Sequence, residues 1–338
     1  MYIDYFELND FPFRLTPDTD YLYMSPSHSR AMSYMEYAIF NQEGFVVITG
    51  EIGCGKTTLI QKLLSEMDEE IQVAKIFQTQ LDEVELLQAI LVEFGLNPFS
   101  AKKVELLNML NQHLIDSYMN NKRSVLIVDD AQQLSKRVLS EICMLSGVET
   151  QKEKILHVIL VGQPELNKAL ESPDMEQLLQ RISLRYHMRT LKEDEAIDYI
   201  NHRLKVAGVT KSLFEDETFD LIYEYTGGTP RLINTLCDTA LTCAFADSVE
   251  TVNLKTMQLA LDELQWKKFS EIKHSVTSNM TVDLRDNDLP VYTDLTPMGD
   301  GDDGVEKLLS SRISSTALVE IANQLKRLVN ILEKNDDR

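Results

Sequence analysis

The chain has 338 residues, enough for about two domains, and its 43% hydrophobic and 26% charged content is that of an ordinary globular protein. Its formal charge of −21 repels phosphate backbones and anionic lipids, so general affinity for nucleic acid or membrane surfaces is disfavoured. The four cysteines form no Cys-x-x-Cys pair and have no metal-ligand spacing with the six histidines, which suits reduced thiols in the cytoplasm.

No run of eighteen apolar residues occurs, so no transmembrane helix is predicted. Met1–Tyr5 has neither the basic nor the apolar region of a secretory signal. The expected location is therefore cytoplasmic, with any place at the inner face of the membrane owed to a partner.

Residues 1–28 are dense in aromatics and proline (Phe6, Phe11, Pro12, Phe13, Pro17, Tyr21, Tyr23, Pro26), which predicts extended segments and turns. Those aromatics would pack either on a nucleotide base or on the core. Residues 29–42 have the apolar spacing of a helix. Then comes Phe45–Thr49, an apolar strand, followed directly by Gly50-Glu51-Ile52-Gly53-Cys54-Gly55-Lys56-Thr57-Thr58 and an apolar helix.

Gly-x4-Gly-Lys-Thr between a strand and a helix is the setting in which a phosphate-binding loop has physical meaning. A triphosphate needs many donors at short range. Glycines let successive N–H groups turn inward, and the helix adds the positive end of its dipole. Lys56 would reach the β- and γ-phosphates of ATP, and the Thr57 hydroxyl would hold Mg²⁺. Cys54 is either a redox-sensitive thiol, its pKa lowered by the helix N-terminus, or a small tolerated side chain.

Val73–Phe77 reads as a second strand, and helices follow near 84–94 and 104–118. Ser124–Val128 has the unbroken apolar character of a strand buried on both faces, as in a parallel sheet. It ends in Asp129-Asp130, where open α/β sheets bind their ligands. Asp129 would hold Mg²⁺ opposite Thr57, and Asp130 would orient or deprotonate the attacking water. A further buried strand, Ile155–Val161, leads to Gln163, either a sensor of the γ-phosphate or a turn glutamine before Pro164. A shorter strand lies near 183–188.

Arg181 or Arg185 could act in trans on a neighbouring subunit's phosphate, which would require an oligomer; a surface role is the alternative. Residues 193–266 read as helix only: 193–206, 216–225, 230–246 and 254–266. Arg231, after Gly227-Gly228-Thr229-Pro230, either reaches back to the phosphates or lies on a helix surface. No role falls to the scattered histidines.

Residues 281–304 hold seven aspartates and one arginine with few apolar residues, the composition of a flexible linker. Leu318, Ile321, Leu325, Leu328 and Leu332 then recur at 3-4-3-4 spacing, a seam that would dock on a partner or on the core.

Several segments together resemble one family: Phe11-Pro12-Phe13 with Thr16-Pro17-Asp18; Gly44–Glu51; Asp129–Leu134; Leu160–Leu166; Gln180–Ser183; and Gly227–Asn234. Over residues 1–268 the chain resembles AAA+ ATPases of the general secretion pathway protein A type. It is most similar to those encoded with bacterial exosortase (PEP-CTERM) and exopolysaccharide loci.

The resemblance implies an oligomeric ATPase with Gln163 as sensor 1, Arg181 as arginine finger and Arg231 as sensor 2. It also implies an envelope export or sorting machinery as partner. Two departures stand out. The family's Asp-Glu pair is Asp129-Asp130 here, one methylene shorter, so slower hydrolysis or a bridging water is expected. The longer secretion proteins' transmembrane and peptidoglycan-binding regions are missing.

The expected fold is thus an α/β P-loop (AAA+) parallel sheet flanked by helices over 1–190, a helical lid over 191–273, an acidic linker over 274–304 and a terminal helix over 305–338. The alternatives in function are a DNA-associated ATPase of the transposition-helper type, which the acidic charge opposes, and a slow-hydrolysing switch.

Overall fold

Five segments, three of them apolar runs and two at the sheet's edges of mixed character, become the strands of one parallel sheet: β1 (Phe45–Gly50), β2 (Ile71–Ile76), β3 (Arg123–Val128), β4 (Leu156–Gly162) and β5 (Leu184–Met188). Their order is β2-β3-β4-β1-β5, so β4 separates the strand that feeds the glycine loop from the strand that ends at Asp129. The register sets Thr49 beside Gly162 and Val128 beside Leu160. The glycine loop, Asp129 and Gln163 therefore emerge side by side at the carboxyl edge of the sheet, the edge where such sheets bind ligands.

The computed structural model describes residues 2–271 apart from 42–43, 78–79, 99–101, 150–153 and 210. These residues belong to one compact unit, residues 1–282. The predicted acidic linker and the terminal helix with its Leu318–Leu332 seam lie outside the described residues.

The central strands are buried on both faces because each face meets helices. Val46, Ile48, Val125, Ile127, Ile159 and Val161 pack with α2 (Pro26–Phe40) and α3 (Lys56–Ser65). Alternate residues of the same strands (Phe45, Val47, Leu126, Val128, Val158, Leu160) face the other way. They meet α4 (Glu83–Glu93), α5 (Lys103–Met119) and α6 (Lys136–Leu145), then α7 (Glu165–Leu170) and α8 (Glu176–Arg181). The period of two along each strand is what divides one apolar run between two cores.

A third core belongs to the helices α9 (Glu193–Val206), α10 (Glu217–Thr226), α11 (Pro230–Ala246) and α12 (Leu254–Leu264). Pro230 occupies the first turn of α11, where its missing N–H costs no helical bond. Tyr2, Phe6, Leu8, Phe13 and Tyr21 are buried in this same core. The short helix α1 (Tyr2–Tyr5) and the proline-rich segment after it thus share the core of the helices, although the sequence grouped residues 1–190 with the sheet. The segment from Asn9 to Ser25 forms a strap from the helical unit to the start of α2. Asn9 N–H donates to the Ala207 carbonyl at 2.8 Å, and Ser25 caps α2.

Candidate nucleotide-binding site

Between Gly50 and Lys56 the chain turns sharply, and it can do so only through glycine at two points. Gly53 has φ +80° and Gly55 φ +91°, both left-handed. A Cβ on Gly53 would lie 2.5 Å from the Arg231 Cβ, and one on Gly55 would lie 2.9 Å from His28 Nε2. α3 starts immediately, so its positive end closes the loop.

The loop's carbonyls are engaged by named donors. Lys56 Nζ donates to the carbonyls of Gly50 (2.8 Å) and Glu51 (2.9 Å). The Arg231 N–H donates to Gly53 O (3.2 Å), His28 Nε2 to Cys54 O (3.0 Å) and the Leu59 N–H to Gly55 O (2.9 Å).

Beside the loop, the Thr57 hydroxyl donates to Asp129 Oδ2 at 2.7 Å. Asp129 is 3% exposed, and burial pushes its carboxyl above the usual range, opposed by the bonds from Thr57 and from the Asp130 N–H (2.9 Å). A buried carboxylate at this cost, one hydroxyl away from a phosphate-binding loop, is a hard-oxygen donor set that a small divalent cation would stabilise.

Asp130 is half-buried and left-handed at φ 52°, a conformation that aspartate tolerates better than most residues. Its Oδ1 accepts from Gln132 Nε2 (3.1 Å), and Gln132 Oε1 accepts from the Gln163 N–H (2.9 Å). Gln132 therefore ties the second carboxylate to the end of β4.

A cavity of about 450 Å³, within the usual range for small-molecule sites, opens over these groups. Of the residues expected at the site, Ile52, Gly53, Gly55, Lys56, Thr57, Thr58, Asp130, Gln163 and Arg231 line it; Gly50, Glu51, Cys54 and Asp129 do not. The strap supplies one wall from Arg14 to Tyr23, and Tyr199, Arg203 and Asn234 of the helical unit supply another. Four cations (Arg14, Lys56, Arg203, Arg231) face it against two carboxylates (Asp18, Asp130). In a chain of charge −21, that local excess focuses an attraction for anions within the cavity.

Arg181 stands apart from the cavity: its Nη1 donates to the Cys143 carbonyl (2.6 Å) beside Gly147. Arg185 is exposed on β5. The Cys54 thiol, expected as a candidate for a lowered pKa, is 1% exposed and pushed upward, because burial outweighs the pull of Lys56. Its surroundings make it a packed side chain.

The strap's aromatics pack on the core. Phe13 and Tyr21 are buried in the helical core, while Tyr21 also borders the cavity. His28, Gln132, Arg203 and Asn234 were not anticipated as site residues. No local pattern marks them, since each reaches the site from a separate element.

Taken together, the loop, the paired acids and the strand between them define a P-loop nucleotide site on a sheet with a helical lid. Residues 40–170 match a family model described as an AAA domain. The fold is also that of Cdc6p from Pyrobaculum aerophilum (16% identity, TM-score 0.59, 77% of this chain and 70% of that one). It is likewise that of the ORC2 protein of Aeropyrum pernix, solved as ADPNP and ADP complexes (17% identity, TM-score 0.54, 70% and 66%).

Residues 40–170, which hold the P-loop and both acids, are thus similar to AAA domains. Among curated proteins the chain is similar to general secretion pathway protein A of Aeromonas hydrophila, 40% identical over 247 residues that make up 73% of this chain and 45% of that protein. The chain thus spans about half the length of the curated relative it matches. No helix among the described residues is long and apolar enough to cross a membrane.

Proposed function

We propose that the chain hydrolyses ATP with Mg²⁺ as a nucleotide-dependent oligomer serving envelope export, either sorting of surface proteins or secretion of exopolysaccharide. The observation that carries this is the cationic cavity lined by Lys56, Thr57, Asp130 and Gln163, with the Thr57 hydroxyl bonded to the buried Asp129 just behind it.

Thr57 and Asp129 would hold Mg²⁺, which would neutralise charge on the phosphate oxygens. Asp130, held by Gln132, orients and accepts a proton from the attacking water. Gln163 stands between the two strand ends, where the γ-phosphate would lie. Arg231 binds at the phosphates and carries the state of the site into the lid. Arg181, fixed outside its own subunit's cavity, serves the neighbour's. The short reach of Asp130 makes turnover slow. Residues 305–338 would recruit the export machinery and hold the protein at the inner face of the membrane.

The test is ATP binding and phosphate release at rising protein concentration. Lys56→Ala should lose both. Arg181→Ala should keep binding but lose the concentration-dependent part of turnover. Unchanged binding and turnover in Lys56→Ala would overturn the assignment.

A further inference from the structure

The hydrogen bonds around the glycine loop single out a residue with no part in its sequence motif. His28 lies in the first turn of α2 and is 3% exposed. Its Nε2 is 3.0 Å from the carbonyl oxygen of Cys54, and its Nδ1 is 2.7 Å from Ser25 Oγ. A carbonyl only accepts, so Nε2 carries the ring hydrogen, and Nδ1 accepts from the Ser25 hydroxyl. Burial lowers the ring's pKa, which agrees with a neutral imidazole in this single tautomer.

We infer that His28 is a positioning residue for the nucleotide: its bond to Cys54 O fixes the Cys54–Gly55 peptide plane, and with it the direction of the Gly55 N–H. This rests on the proposed nucleotide site. In a trans peptide the C=O and the following N–H point in opposite directions. Anchoring the Cys54 carbonyl on His28 therefore aims the Gly55 N–H away from α2. Gly55 has no side chain to restrict it, and at φ +91° its two flanking planes are free to swing unless something outside the loop holds them.

The other loop carbonyls with a partner described are held by Lys56 of the motif, by the Leu59 N–H of α3 (Gly55 O) or by the lid backbone. Lys56 spans Gly50 and Glu51, and the Arg231 N–H takes Gly53. Cys54 O alone among those described depends on a side chain from another element. The same contact accounts for the glycine at position 55 in a second way. A Cβ there would lie 2.9 Å from Nε2 and push the imidazole off its carbonyl. Ser25, fully buried, selects the tautomer, so the device is a relay of three groups: Ser25 hydroxyl, imidazole, loop carbonyl.

The experiment measures ATP affinity calorimetrically, with and without Mg²⁺, in the full chain carrying His28→Phe, His28→Gln or Ser25→Ala, with thermal midpoints recorded in parallel. Glutamine places a donor where Nε2 was; phenylalanine fills the space without one. His28→Phe should weaken ATP binding by about tenfold, the scale of one lost buried hydrogen bond. His28→Gln should recover most of that affinity. Ser25→Ala should weaken binding severalfold by freeing the other tautomer.

Steady-state kinetics should show the change in KM for ATP rather than in kcat. Wild-type affinity in His28→Phe overturns the inference, as does a His28→Gln variant as weak as His28→Phe. If His28→Phe does not fold, Ser25→Ala with wild-type affinity overturns it equally. Failure of the nucleotide site itself would show separately, as unchanged ATP binding in Lys56→Ala.

Discussion

Arg203 on α9 is 7% exposed, and among the described residues no carboxylate pairs with it. Its guanidinium donates to the carbonyls of Pro12 and Arg14 (3.3 Å) and to the Tyr199 hydroxyl (3.1 Å), and it lies 4.9 Å from the centre of the Tyr21 ring. The groups it serves all belong to the strap or to the wall behind it.

Arg203→Met keeps the stem and removes every donor. Pro12 O then loses the partner that Arg203 provides, while Arg14 O keeps a longer bond from Asn234 Nδ2 (3.4 Å). Leaving one buried acceptor unpaired and weakening a second costs about 2–4 kcal/mol. Release of a buried charge offsets part of that. Arg203→Lys should fare nearly as badly, because an ammonium lacks the planar fork whose three nitrogens reach Pro12 O, Arg14 O and the Tyr199 hydroxyl at separate points.

Urea unfolding followed by circular dichroism measures the loss. ATP affinity should fall with it, since the strap is a wall of the cavity. A variant within about 0.5 kcal/mol of wild type, the range of ordinary surface substitutions, with ATP affinity unchanged, would refute the reasoning.

Asp130→Glu lengthens the second carboxylate by one methylene and should raise the rate of phosphate release. It should also cost about 1 kcal/mol of stability, because glutamate is less at ease at φ 52° than aspartate. Turnover unchanged or lower would mean that the reach of this group does not limit hydrolysis. The pH dependence follows from His28, His113 and His202, whose pKa values burial pushes below 6.5. Below pH about 6.5 the unfolded chain binds protons that the folded chain refuses, so stability should fall as pH drops through 6.5 towards the folded-state values, then level off in this contribution. A melting temperature that is flat or rising on going from pH 7 to pH 5.5 would contradict this assignment.

Local pattern carried the sheet and the loop because each is a local event. Val125–Val128 and Val158–Val161 are buried on both faces, so unbroken apolarity announced them. Gly53 and Gly55 are needed for positive φ, so the motif spacing announced the loop. The four helices of the lid lie close to where apolar periodicity placed them. His28, Gln132 and Arg203 left no such trace. Each depends on a residue well separated from it in the sequence: Cys54, Gln163 and Pro12 in turn. The thiol of Cys54 was open to misjudgement for the same reason. A helix N-terminus is visible in sequence, whereas the burial that overrides it is not.

The two outside supports of the glycine loop come from different bodies. Cys54 O is held by α2, which packs on the sheet, and Gly53 O is held by the backbone of α11 in the lid. The strap connects the same two bodies, bonded to α9 through Arg203 and ending at Ser25, which orients His28. A rotation of the lid against the sheet therefore cannot leave the loop untouched. It must either break the bond from Arg231 N–H to Gly53 O or carry that peptide along while His28 keeps the next one still. The two peptides meet at the Cα of Cys54, and the flanking Gly53 and Gly55, both at positive φ, supply the freedom for each to turn. Under the proposed function, a nucleotide that fixes the loop would therefore bias the lid's angle, and a partner that fixes the lid would bias the loop.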